Sequence, residues 1–421
     1  MVPCALGSFQ LRVWGNGVDF QPKLTQNSTC KYSSSHSQLF IQNEAVQEEE
    51  TLPSIMSIIF LLVGILLSIG LQFTESTNLH FTCSDHISQV SVTFSTIGVC
   101  YGVLGNNLPS KQEVVDLYKS KGIGKMRIYY PDQEVLQALR GSNIELILGV
   151  TKETLSSLTD AGEATNWVQK YVTPYAQDVK IKYITVGNEI KPNDNEAQYI
   201  ATAMQNIQNA ISSANLQGQI KVSTAIDMTL IGNSYPPNAG VFTDQANSYI
   251  QPIINFLVKN GAPLLANVYP YFAYIGNKQS ISLDYVLFKQ QGNNEVGYNN
   301  IFDAMLDSVY AALEKVGGSN VKIVVSESGW PSKGGDSASI DNAATYYSNL
   351  INHIKNGTPK RPGAAIETYL FAMFDENQKT GATTEQHYGL FNPDKSPKYH
   401  VAQSGIELDT TRNITVILNM K

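Results

Sequence analysis

Eight short runs rich in Val, Ile and Leu recur between residues 97 and 372, each followed by loop signals or a stretch with helical periodicity. The runs occupy 97–101, 125–129, 144–150, 181–186, 221–226, 264–268, 322–326 and 366–372. Apolar runs this short, without polar alternation, are expected of strands buried on both faces, and such strands are parallel. Parallel neighbours need a crossover, and the intervening segments supply it as helices. In 110–118, Ser110 and Glu113 have the spacing of a capping box, Val114, Val115, Leu117 and Tyr118 make a buried face, and Gly122 stops the helix. In 196–214, Ile200, Met204, Ile207 and Ile211 fall on one face. Further helical segments are expected at 132–139, 166–172, 249–259, 301–316 and 342–355. Eight units of this kind in about 300 residues predict an α/β chain with one (β/α)8 TIM barrel over 97–400. A doubly wound open sheet would carry a Gly-rich phosphate loop after its first strand, and Gly102-Val-Leu-Gly105-Asn does not have that pattern.

The flanks read differently. Residues 1–54 are polar, aperiodic and interrupted by Glu48-Glu-Glu50, which predicts a disordered or non-mature extension. Residues 55–73 form a hydrophobic, signal-like segment. Its apolar run, 55–71, is at the short limit for a membrane span and fits the core of a signal peptide, with Met56 as an alternative start. A signal anchor and a buried core helix are the other two readings. Residues 74–96 are Ser/Thr-rich and read as a linker, and 401–421 as a C-terminal extension, so the mature protein is expected to start near Ile97. Of the four cysteines, Cys4, Cys30 and Cys83 precede the barrel and Cys100 lies in its first strand, where a buried thiol is expected. No CxxC occurs and no disulfide framework is indicated. With 29 Lys and Arg against 36 Asp and Glu, the net charge of -7 argues against nucleic acid or an anionic membrane as partner. Charged residues make up only 15%, and Asn, Gln, Ser and 22 Tyr replace them, which suits a secreted enzyme acting on a neutral polymer.

The chemistry sits where the runs end. Glu189 closes Ile181-Lys-Tyr-Ile-Thr-Val-Gly-Asn-Glu189, and Glu327 follows Val321-Lys-Ile-Val-Val-Ser. A barrel brings both to its C-terminal rim, where active sites of this fold are built. Tyr129, Asn188, Asp227, Asn267, Tyr269, Tyr271, Trp330, Asp375, Glu376 and Lys379 follow other strands to the same rim. Carboxylates and amides among aromatic faces are what sugars require. Two carboxyl groups about 5–5.5 Å apart support glycoside hydrolysis with retention, one attacking the anomeric carbon and the other protonating the leaving oxygen. Glu327 is assigned as nucleophile and Glu189 as acid/base, with Asn188 placed to hold a sugar hydroxyl. Structural alternatives stand beside these roles: Trp330 packing its loop, Tyr269 and Tyr271 in the core, Asp227 as a structural carboxylate, and Lys379 with Glu376 as a solvated ion pair. The excursion 269–298 is too long for an ordinary connection and, with the loop 333–339, is expected to wall a groove.

From 97 to about 399 the chain resembles the plant endo-β-1,3-glucanases of glycoside hydrolase family seventeen. The resemblance rests on Ile97-Gly-Val-Cys-Tyr-Gly102, Met126-Arg-Ile-Tyr129, Val186-Gly-Asn-Glu189 and Asn267-Val-Tyr-Pro-Tyr-Phe272. It also rests on Val325-Ser-Glu-Ser-Gly-Trp-Pro-Ser332, Phe371-Ala-Met-Phe-Asp-Glu-Asn-Gln-Lys379 and His387-Tyr-Gly-Leu-Phe-Asn-Pro393. It implies the barrel fold, retaining endo-hydrolysis of β-1,3-glucan, no cofactor and no metal, and the same roles for Glu189 and Glu327. It adds Glu376, Lys379 and Glu385 as accessory groups. A monomer in the secretory pathway is implied, acting in the cell wall or vacuole on callose or fungal glucan. The tail with its sequon Asn413-Ile-Thr415 resembles extensions that direct some relatives to the vacuole. Mixed-linkage β-1,3-1,4-glucanase and a silent glucan-binding stress protein on the same fold are the alternatives.

Overall fold

The computed structural model describes residues 97–399 and two short strands, Gln10–Arg12 and Ile417–Asn419. Those two strands pair antiparallel with each other, Leu11 opposite Leu418, in a unit separate from the barrel. Apart from them, the extension 1–54, the signal-like segment 55–73, the linker 74–96 and the tail 401–421 lie outside the described residues. Among the described residues no helix is long and apolar enough to cross a membrane.

The eight runs form eight strands: β1 (Ile97–Cys100), β2 (Lys125–Ile128), β3 (Glu145–Val150), β4 (Lys180–Asn188), β5 (Lys221–Asp227), β6 (Leu264–Asn267), β7 (Ile323–Ser328) and β8 (Thr368–Leu370). They close into one parallel barrel in chain order, β8 returning to β1 with Thr368 opposite Ile97. The interior is a packed layer holding Ile147, Tyr183, Ala225, Leu265, Val324 and Tyr369, with the buried Cys100. Burial pushes the Cys100 thiol far up, and it donates to Ser326 O at 3.3 Å, so it is an inert packing group.

Seven helices follow the first seven strands: α1 (Lys111–Ser120), α2 (Gln133–Ala138), α3 (Ala161–Tyr171), α4 (Ala197–Ser213), α5 (Asp244–Asn260), α6 (Ile301–Lys315) and α7 (Ile340–His353). The capping box is realised at α1, Ser110 and Glu113 each satisfying the other's backbone N–H. Two helices start earlier than periodicity alone indicates. Asp160 caps α3 through the N–H groups of Gly162 and Glu163, and Thr243 caps α5. The first turn of α3 holds only Ala and Gly besides Glu163, and that of α5 is mostly polar, so neither carries a large apolar residue from which a period could be read. The eighth unit departs from the expected repeat. Its run 366–372 shortens to a three-residue strand, and among the described residues no α-helix follows it, only the turn Thr383–Gln386. The excursion 269–298 holds two short helices, Pro270–Gly276 and Leu283–Val286.

The N-terminal mouth of the barrel is closed by charge. Lys125 and Lys182 both pair with Glu145 and Glu367, Lys182 at 3.0 and 3.1 Å, and the hydroxyls of Tyr183 and Tyr369 donate to Glu367. Burial pushes the Glu145 carboxyl up, but hydrogen bonds from Lys125 and Lys182 outweigh it and hold the carboxyl below its usual range. A depressed carboxylate stabilises the fold above its unfolded value, about 4.3, and the contribution is lost as pH falls through the folded value. Glu367→Gln leaves both lysines short of one partner. It is expected to cost about 2 kcal/mol in urea unfolding, below the value for a fully buried pair because water reaches the network. A loss below about 0.5 kcal/mol would show that the network is only a solvated cluster.

Candidate active site

The C-terminal rim is organised by a residue that sequence reasoning passed over. Arg127, in the middle of β2, is fully buried inside the barrel. Its Nη1 donates to Glu327 Oε1 at 2.9 Å, Ser326 O at 2.9 Å and Asn267 Oδ1 at 3.0 Å, and its Nη2 to Asn188 Oδ1 at 2.7 Å. One planar fork therefore ties together β4, β6 and β7. The signal was available: a cation inside a run that must be buried on both faces needs an anionic partner.

Glu327 is only 5% exposed. Besides Arg127, the hydroxyl of Tyr129 donates to its Oε1 at 2.8 Å and that of Tyr269 to its Oε2 at 2.6 Å. The carboxylate is the acceptor in every one of these bonds. Burial and then the Glu327 charge push the Tyr269 phenol far above its ordinary value, so it remains a donor.

Glu189 is held differently. Its backbone has φ 53°, in the left-handed region, two residues after Gly187 at φ 78°. A bulky residue there costs about 1–3 kcal/mol and is kept only where the surroundings fix it. Its N–H donates to Ala225 O at 2.9 Å, and its Oε1 accepts from Asn267 Nδ2 at 2.8 Å. Burial and then the neighbouring Glu327 raise its carboxyl to about 7, against the single bond from Asn267. The two carboxyl groups thus face one cleft in different electrostatic states, linked through Asn267, which also accepts from Arg127.

The pairing registers shift at these strand ends: between Thr185 and Asn188 where β4 meets β5, and between Val325 and Glu327 where β7 meets β6. Such irregularities re-aim a side chain at the end of a strand. Here they fall next to the two glutamates.

The cleft encloses about 740 Å³ and takes lining residues from the ends of seven strands. Tyr129, Asn188, Glu189, Asn267, Tyr269, Glu327, Glu376, Lys379 and Glu385 all line it. Glu376 is buried and accepts from Leu104 N at 2.9 Å, while Gly102 beside it has no room for a side chain, since a Cβ would lie 2.3 Å from the carboxylate. Lys379 sits over the Phe371 ring at 4.3 Å and pairs with Glu385 at 3.2 Å, not with Glu376. Two expected binding residues are elsewhere. Trp330 is completely buried, its indole N–H donating to Ser337 O, and Tyr271 packs edge-on against it while donating to Asp336 O. They stand behind the cleft wall, Tyr271 packed against the lining Phe272. The aromatic surface of the cleft comes instead from Tyr129, Tyr269, Phe371, Tyr388 and the half-exposed Phe272. Phe272 is the last residue of the motif Asn267-Val-Tyr-Pro-Tyr-Phe272. Among the described residues no group of His, Cys, Asp or Glu is arranged to hold a metal ion.

A closed (β/α)8 barrel carrying two unlike glutamates in one cleft on its C-terminal rim defines a glycoside hydrolase of the carboxylate-pair type. Residues 97–403 match the model of the glycosyl hydrolases family 17, and the chain belongs to that family. It is 59% identical over 326 residues to a glucan endo-1,3-beta-glucosidase of Vitis vinifera, covering 76% of this chain and 94% of that protein. It is 69% identical over 253 residues to a glucan endo-1,3-beta-glucosidase of Glycine max, covering 59% of this chain and 98% of the relative. A solved structure of a beta-1,3-glucanase and allergen of Cryptomeria japonica pollen superposes with a TM-score of 0.71 at 48% identity, over 74% of this chain and 99% of that one.

Proposed function

We propose that the protein is a glucan endo-1,3-β-glucosidase that cleaves β-1,3-glucan internally with retention of configuration, Glu327 acting as nucleophile and Glu189 as acid/base. The observation that carries the reading is the contrast between the two carboxyls. Glu327 accepts from Arg127, Tyr129 and Tyr269, while Glu189 is raised to about 7 and so is mostly protonated only below neutral pH. The printed names of the relatives support the substrate. The endo mode draws support from the breadth of the cleft: Leu104 and Tyr130 line it beyond β1 and β2, and Thr229 and Phe272 beyond β5 and β6, on the opposite side of the closed barrel. A polymer crossing between them needs no free end.

In the first half-reaction Glu327 attacks the anomeric carbon as Glu189 gives its proton to the leaving oxygen. In the second, Glu189 takes a proton from water, which attacks the glycosyl-enzyme and frees Glu327. Callose or fungal-wall glucan is the natural substrate on this reading, in the secretory pathway of a plant, as a defence or wall-remodelling enzyme.

Laminarin is the test. Early release of a ladder of short oligosaccharides in the β configuration, read by chromatography and proton NMR, is expected. Glucose alone would overturn the endo mode. Faster cleavage of lichenan would move the protein to mixed-linkage glucan, and binding without cleavage by folded protein would make it a silent glucan-binding protein.

A further inference from the structure

One ion pair at the cleft has no part in that reaction scheme. Asp227 ends β5 and lines the cleft, and Lys191 stands two residues beyond Glu189. The Lys191 ammonium donates to Asp227 Oδ2 and, at 2.9 Å, to Thr229 Oγ1. The other Asp227 oxygen accepts from Thr229 Oγ1 at 2.6 Å and Thr229 N at 3.1 Å. The backbone N–H of Lys191 donates to Asp194 Oδ2 at 3.0 Å, which fixes the start of the following loop.

Glu189 therefore hangs between two tethers. Upstream, Asn188 is gripped by Arg127, and downstream, Lys191 is tied to the neighbouring strand end. The left-handed turn at Glu189 does not hold itself, and these tethers confine it from both sides. We propose that Lys191 and Asp227 are positioning residues for Glu189: together they lock the turn that carries it, and their opposite charges offset each other beside it. This rests on the acid/base role proposed for Glu189.

The surroundings of Glu189 make the pair's two halves distinguishable. Glu327 faces it from β7, the Asn267 amide from β6, Asp227 from β5 and Lys191 from its own turn. Arg127 from β2 reaches it only through Asn188, Asn267 and Glu327, while Asp132, Glu376, Lys379 and Glu385 line other parts of the cleft. After burial, Glu327 and Asp227 push the Glu189 carboxyl up, and Asn267 and Lys191 oppose them. Lys191 and Asp227 therefore act on Glu189 in opposite directions. Each alone leaves an uncancelled charge beside Glu189.

The test is the basic limb of the kcat/KM–pH profile on laminarin, which reports the acid of the free enzyme. Lys191→Met is expected to move that limb to higher pH and Asp227→Asn to lower pH, each by about half a unit, because the pair is partly solvated and screened. The double variant is expected to return to the wild-type position, and Lys191→Arg to stay there. A merely structural role would lower turnover in both single variants without shifting their limbs in opposite directions. Circular dichroism checks folding, with Lys191→Gln replacing Lys191→Met if the latter misfolds. Limbs that do not move, or that move together, overturn the pair's role in an enzyme that still cleaves laminarin. A wild-type protein that does not cleave laminarin overturns the proposed function instead.

Discussion

Glu327→Ala should lose essentially all turnover on laminarin, on the order of 10⁴–10⁶-fold, the scale seen when a covalent nucleophile is removed. The reason is geometric as well as chemical. Arg127, Tyr129 and Tyr269 converge on this carboxylate, and no other acceptor in the cleft is held by all three. Deleting the side chain leaves a cavity that still carries an arginine and two phenols, a ready site for a small anion. Added azide should therefore restore cleavage by attacking the same face, and its product should be the inverted glycosyl azide. Glu189→Ala should behave differently. A sugar leaving group needs its proton, so cleavage of laminarin should fall about 10²–10⁴-fold, the usual worth of general acid–base catalysis. An activated aryl glycoside needs little protonation and should still form the covalent intermediate, which then accumulates for want of a base. Azide should release it with retained configuration. An inverted azide product from the Glu189 variant would exchange the two roles.

Arg127→Met should damage the enzyme as well, less severely and through a different route. The side chain is fully buried and Glu327 is nearly so, so the substitution strands a carboxylate in the barrel without its cation. Breaking such a pair from one side costs about 3–5 kcal/mol, which should appear in urea unfolding. It also releases Asn188 and Asn267 from the guanidinium, and Asn267 holds Glu189. Both glutamates lose support together, so kcat should drop by about 10²–10³-fold, the order expected when preorganised donors are removed from an active site. Arg127→Lys should recover most of the stability but little of the rate, since one ammonium cannot bridge three strands as a planar fork does. A folded Arg127→Met enzyme with normal kcat would show that the fork is only structural.

Much of this was legible in the chain. The eight apolar runs and their helices dictate parallel strands with crossovers, because runs buried on both faces have no other stable arrangement. Capping at Ser110 and Asp132 is local chemistry and could be read directly. The placement of Glu189 and Glu327 in one cleft follows from the strand ends they occupy. Cys100 reads correctly as a buried thiol for the same reason.

What the sequence could not decide depends on direction and on partners far away in the chain. Trp330 and Tyr271 stand beside catalytic motifs, yet both lie behind the cleft wall, while Phe371 and Tyr388 enter it. Lys379 chooses Glu385 over Glu376, because Glu376 is occupied by the backbone of a loop 272 residues earlier. The raised carboxyl of Glu189 and the anion-binding cradle of Glu327 arise from burial, register shifts and a single arginine on β2. Sequence alone determined which residues end the strands, because the order of the runs along the chain and its polarity are local properties. Tertiary structure alone decided that the Glu189 carboxyl is raised, because that depends on burial and on charges brought together by closing the barrel.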